Sequence, residues 1–108
     1  MDGVTKNKIA ELICGDDKVK HPIYRSSTKL TRFFQDLGIN AVHDGSSRNP
    51  WAYQVINNLN GTDLQKVILR LASPKLYGGD REQINLALTT LNESLAVEGL
   101  KVTLNGIE

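Results

Sequence analysis

Residues 49–71, NPWAYQVINNLNGTDLQKVILRL, carry two helical signatures back to back, and their reading decides the fold. Asn49-Pro50 is a start signal: asparagine accepts from orphan amides at a cap, and proline at the first helical position gives up no hydrogen bond. Trp51, Ala52, Val55, Ile56 and Leu59 follow at the spacing of a helix with one buried face. Gly61 closes this helix, and Thr62-Asp63-Leu64-Gln65 reads as a capping box for the next. In that helix Leu64, Val67, Ile68 and Leu71 face the core.

Reading outward toward the N-terminus, Asp44-Gly45-Ser46-Ser47 is turn chemistry in a loop from Ile39 to Arg48. Before it, Ser26 or Ser27 caps a helix whose Leu30, Phe33, Phe34 and Leu37 form one stripe, ended by Gly38. A first short helix carries Ile9, Leu12 and Ile13 behind a cap at Thr5, and Gly15 offers its left-handed stop. Toward the C-terminus, Ser73-Pro74 ends the fourth helix and Gly78-Gly79-Asp80 leads into a fifth. That fifth helix bears Ile84, Ala87, Leu88, Leu91 and Leu95, and Gly99 terminates it.

Leu100, Val102 and Leu104 then alternate with polar residues, the period of a half-buried strand, and Asn105-Gly106 is a hairpin turn signal. The chain ends two residues later. A second strand would therefore lie beyond Glu108, or the first would pair elsewhere or stay unpaired; on this reading the chain is the N-terminal part of a longer protein. The predicted fold is mainly α: one domain over residues 1–108, a compact bundle of about five helices with a short C-terminal β-strand or hairpin.

Composition narrows the function classes. The chain has 108 residues, enough for a single core, and its net charge of +1 gives no global field for polyanions. A nucleic-acid contact would need a local basic patch. The single cysteine, Cys14, cannot form an internal disulfide, and its place beside Leu12 and Ile13 predicts a buried, inert thiol in a cytoplasmic protein. There is no signal core and no apolar run of membrane-spanning length, so no membrane partner is expected.

Candidate chemistry is sparse. His21 and His43 are the conceivable bases for Cys14, yet nothing in the sequence holds either within reach, and no metal-ligand spacing links them. No catalytic residue, metal or cofactor is predicted, and no small-molecule substrate is evident. Gly78-Gly79-Asp80 lacks the Gly-Lys-Ser/Thr of a phosphate loop and reads as a helix cap. Asp16, Asp17, Glu93 and Glu98 read as solvated surface.

Two stretches rise above this background. Lys18, Lys20, His21, Tyr24, Arg25, Lys29 and Arg32 could present cations and a stacking ring to nucleic acid, though Asp16, Asp17 and Asp36 dilute the field. His43 to Trp51 is a polar loop running into a helix with Gln54, Asn57, Asn58 and Asn60, amides able to read base edges. The connection over residues 38–48 is too long for a helix-turn-helix, and Trp51 shares the stripe of Val55 and Leu59, the place of a core anchor. Tyr24, Arg25, His43, Arg48 and Asn49, loop or cap residues flanking two helices, are the candidate partner-binding residues.

The order Tyr24-Arg25-Ser26-Ser27-Thr28, Leu30, Phe33-Phe34, Gly45-Ser46-Ser47-Arg48, Trp51, Leu91-Asn92, Leu95 and Glu98-Gly99-Leu100 resembles small N-terminal domains of bacterial phage-defence proteins. The AbiJ-type abortive-infection proteins are the nearest such family, over about residues 20–107. The resemblance implies a domain that senses an invader or tethers a partner, with toxic activity carried by a separate C-terminal domain. A second resemblance is to death-like helical bundles, which act by stacking with their own kind. The expected function is thus a non-catalytic protein–protein interaction, self-association, sensor or adaptor module in bacterial antiphage defence or signalling. The alternative is a nucleic-acid-binding domain using Lys18, Lys20, Arg25, Lys29, Arg32 and Arg48.

Overall fold

Five apolar helical stripes must bury one another, and the computed structural model, which describes residues 1–107, shows them doing so. The elements are α1 (Gly3–Cys14), α2 (Ser27–Gln35), α3 (Arg48–Asn57), α4 (Gly61–Leu71) and α5 (Arg81–Leu95). Short 3-10 turns span Pro74–Tyr77 and Ala96–Glu98, and a hairpin of β1 (Val102–Thr103) and β2 (Gly106–Ile107) ends the fold. The expected mainly helical architecture is the observed one, and of the strand or hairpin expected at its C-terminus the hairpin forms.

The core draws on every helix: Ile9, Leu12 and Ile13 of α1, Leu30 and Phe34 of α2, Ala52 and Ile56 of α3, Val67 and Leu71 of α4, and Leu91 and Leu95 of α5. Phe34 is its centre, fully buried and set edge-on to Phe33 at 5.3 Å and to Trp51 at 5.7 Å. Trp51 is the core anchor its stripe predicts, although half-buried. A second small cluster joins Tyr77, Ile84 and Ala87 beneath Ile23 and Leu76.

Several helix starts differ from the sequence reading, each for a local reason. α1 begins two residues before Thr5, because Asp2 accepts from the Val4 amide at 2.7 Å and so is the cap. Thr5 is instead buried, donating its hydroxyl to Glu98 at 3.0 Å. α3 begins at Arg48 behind Ser47, so Asn49 is not its cap, and Pro50 still falls among the first residues whose amides have no helical partner. α4 is capped by Asn60, which accepts from the Asp63 amide at 2.8 Å, so the proposed capping box at Thr62 does not form. Gly61 opens α4 rather than closing α3.

At Gly15 the left-handed stop is real and tightly used: φ is 76°, and a Cβ there would lie 1.8 Å from the Ile23 carbonyl oxygen. The chain thus folds back on the end of α1, with the Arg25 amide bonded to the Cys14 carbonyl at 3.0 Å.

The hairpin closes inside the chain, which corrects the expectation of a strand beyond Glu108 or an unpaired one. Val102 pairs with Ile107 and Thr103 with Gly106, leaving Leu104-Asn105 as the turn. Only Val102 of the three alternating apolar residues is buried. Its amide donates to Asn92 Oδ1 at 2.8 Å and its carbonyl accepts from Asn92 Nδ2 at 2.9 Å, so a side chain of α5 satisfies it as a neighbouring strand would. No helix among the described residues is long and apolar enough to cross a membrane.

Candidate recognition site

A helix ends with carbonyls that lack intrahelical donors, and two arginines supply them at the end of α1. Arg25 Nη1 donates to the Ile13 carbonyl at 3.0 Å. Arg48 Nη2 donates to the Cys14 carbonyl at 2.6 Å and to the Arg25 carbonyl at 2.8 Å, and Nε reaches the latter at 3.1 Å. Both cations also lie where the α1 dipole favours positive charge.

Beyond this common place at the end of α1 the two arginines differ. Arg25 is 5% exposed and stacks over Phe33 at 4.8 Å, so it is not the surface residue that its polar surroundings predicted. Burial pushes its guanidinium below the ordinary arginine value, and nearby Arg70 adds repulsion. Arg48 is partly open; it pairs with Asp16 at 2.7 Å and lies 4.3 Å over the Tyr24 ring. Burial would lower Arg48, but the hydrogen bond and charge of Asp16 outweigh it and raise its affinity for the proton.

Tyr24 is 57% exposed, so its ring stands in the open with one face held by Arg48. Asp16, which reads as solvated surface in the sequence, accepts from Nη1 of that guanidinium. Of the predicted patch, therefore, Tyr24 and Arg48 come together at the surface. Asn49 instead donates through Nδ2 to Asn7 at 3.2 Å, tying α3 to α1.

His43 is bound to its own neighbourhood. Its amide donates to Thr31 Oγ1 at 2.8 Å, its ring sits edge-on to Trp51 at 4.9 Å, and Nε2 meets the Ser46 carbonyl at 2.8 Å. A carbonyl only accepts, so Nε2 carries the proton, and in the neutral ring Nδ1 accepts from the Ser27 hydroxyl. This is the one hydroxyl–imidazole pair in the candidate set, and the Ser46 carbonyl, not a carboxylate, orients the ring.

Cys14 is fully buried, and burial pushes its thiol up to about 11, against the smaller opposing effect of Arg48. Such a thiol is held in its protonated, weakly nucleophilic form. His21 does not reach it as a base; its Nδ1 accepts from the Asp17 amide at 3.0 Å, and burial lowers its pKa. Among the described residues no group of three His, Cys, Asp or Glu side chains could hold a metal ion.

The predicted basic stretch is divided. Lys18 and Lys20 are exposed on the turn before Pro22, whereas Lys29 and Arg32 border a groove of about 210 Å³ between α2 and α4. Arg70 of α4 lines that groove with them. A second groove of about 300 Å³ runs between α1 and α5, with exposed Val4 and Val97 in its lining. Comparison with family models, curated proteins and solved structures finds no match for the chain.

Proposed function

We propose that this chain is a non-catalytic recognition module that docks a protein partner, or a second copy of itself, through the surface carrying Tyr24 and Arg48. The observation that carries this reading is the exposed Tyr24 ring stacked under an Arg48 guanidinium that four hydrogen-bond contacts already fix. Tyrosine and arginine are the residue types that dominate interface energetics. Holding both side chains before contact lowers the ordering cost that association otherwise meets. The buried, deactivated Cys14 supports the non-catalytic part of the reading and fits a cytoplasmic setting.

The resemblance to N-terminal domains of abortive-infection proteins supports placing this contact in bacterial antiphage defence or signalling. A photo-crosslinking amino acid at position 24, expressed in cells, should join the chain to a defined protein species or to itself. The same group at exposed Thr62 should not give that adduct. Equal adducts at both positions, or none at position 24, would refute the reading.

A second reading as a nucleic-acid-binding domain draws on Lys29 and Arg32, both exposed and unpaired among the described residues. Titration with DNA and RNA at two salt concentrations tests it, because each lost phosphate contact lowers the logarithmic salt slope by about 1.

A further inference from the structure

Buried charges are ordinarily paired, since removing an ion from water is costly. Arg25 breaks that rule. It is 5% exposed, it gives one side-chain hydrogen bond, from Nη1 to the Ile13 carbonyl, and no carboxylate pairs with it among the described residues. Arg25 also lines the groove between α2 and α4.

Three further cations border the same groove: Lys29 and Arg32 of α2 and Arg70 of α4. None of them makes an ion pair among the described residues, and Arg70 is near enough to repel Arg25. Asp36 is the only carboxylate in the lining among the described residues. Four positive groups from three segments of the chain therefore converge against one negative group, an arrangement whose repulsion a bound anion would relieve.

We propose that this groove binds the phosphoryl group of a small organic phosphate. Guanidinium forks match phosphate oxygens in geometry, and two of the four cations are arginines at the rim with a third beneath them. Ile23, Phe33 and Leu76 supply an apolar wall for the carbon portion of the ester. Charge separates this ligand from a nucleic-acid strand: Asp36 stands among the cations of the groove, and a net charge of +1 gives a long polyanion little general attraction. The site shares no lining residue with the α1–α5 groove and does not include Tyr24 or Arg48.

The test is a titration of the full chain at low ionic strength with inorganic phosphate, adenosine monophosphate and a single-stranded oligonucleotide, followed by amide chemical shifts. Phosphate and the monophosphate should saturate, with shifts centred on residues 25–36 and 70–76. Arg32→Gln and Arg70→Gln should each weaken binding about tenfold, the loss of one charge-assisted hydrogen bond. Asp36→Asn should tighten it, a gain that a damaged fold would not produce. Absence of saturable binding at millimolar ligand, or affinity indifferent to both arginine variants, would overturn the proposal. Binding of the oligonucleotide without the monophosphate would overturn it in favour of a nucleic-acid surface.

Discussion

Arg48 bonds the backbone carbonyl of Arg25 through two donors, Nε at 3.1 Å and Nη2 at 2.8 Å, so one cation positions the segment that carries the other. The pair closes α1: Arg25 takes the Ile13 carbonyl and Arg48 the Cys14 carbonyl. Arg48 therefore serves two places at once, because the guanidinium that ends the helix also covers Tyr24.

Arg48→Ala should accordingly cost about 2–3 kcal/mol, since it strips charged donors from two carbonyls and an acceptor from none. Arg48→Lys should recover less than half of that, because an ammonium cannot reproduce the fork that spans the Cys14 and Arg25 carbonyls. Urea denaturation of the two variants measures both. A loss below about 0.5 kcal/mol for alanine would mean that water replaces the cap without penalty.

His21 should make stability depend on pH. Burial lowers its pKa below the ordinary 6.5, and the Asp17 amide donates to Nδ1, a bond that requires this nitrogen to be unprotonated. As pH falls below 6.5 the unfolded chain takes up a proton that the folded chain resists, so stability present at neutral pH declines on acidification. Asp17, lowered by the amides of Val19 and Lys20, adds its own loss only below its ordinary value of 3.8. Denaturation of the native chain between pH 7 and 5 should show the decline, and His21→Asn, which keeps an acceptor, should flatten it. Equal slopes in the two proteins would remove His21 as the cause.

Neither candidate nucleophile should react. With its thiol pushed up to about 11, Cys14 should resist alkylation at pH 8 until the chain unfolds. Ser27 faces the more exacting test, because its hydroxyl does meet an imidazole. A fluorophosphonate probe should leave it unlabelled, whereas labelling lost in His43→Ala would establish a serine nucleophile and overturn the non-catalytic reading.

Tyr77 offers a check on the second cluster. Its hydroxyl donates to the Leu71 carbonyl at the end of α4, and burial pushes its pKa up to about 12. Tyr77→Phe keeps the ring and orphans that carbonyl, for an expected loss of about 1–3 kcal/mol by denaturation. An unchanged stability would mean the carbonyl is satisfied by solvent.

What the sequence made legible were the elements whose cause is local. Leu30, Phe33 and Phe34 are apolar at helical spacing, Gly15 is left-handed where α1 stops, and Gly99 is left-handed after the 3-10 turn that follows α5 rather than at the end of α5 itself. The caps were less legible because several residues qualify side by side: Asn60 took the role offered by Thr62, and Asp2 that of Thr5. The site was hardest to read. The burial of Arg25 depends on Ile13 and Phe33, the pinning of Arg48 depends on Asp16, 32 residues away, and no periodicity encodes either. The Asn92 clamp on Val102 was hidden for the same reason: a polar residue on a helix reads as solvated until the tertiary fold brings the free edge of a strand against it.

Tyr24 and Arg25 are neighbours in sequence but belong to different layers, and substituting each in turn separates recognition from architecture. Tyr24→Ala removes an exposed ring and one stacking contact, worth about 0.5–1 kcal/mol, so the fold should persist. Arg25→Ala leaves the Ile13 carbonyl unpaired and a void beside Phe33, so it should cost several times more, about 2–4 kcal/mol. If Tyr24 is the contact, Tyr24→Ala should abolish self-association in sedimentation, or partner crosslinking in cells, at nearly native stability. Arg25→Ala should impair both only in proportion to the fraction unfolded. Full association by Tyr24→Ala would shift the search to the valines at the α1–α5 groove, where Val4→Asp and Val97→Asp would then be the decisive substitutions.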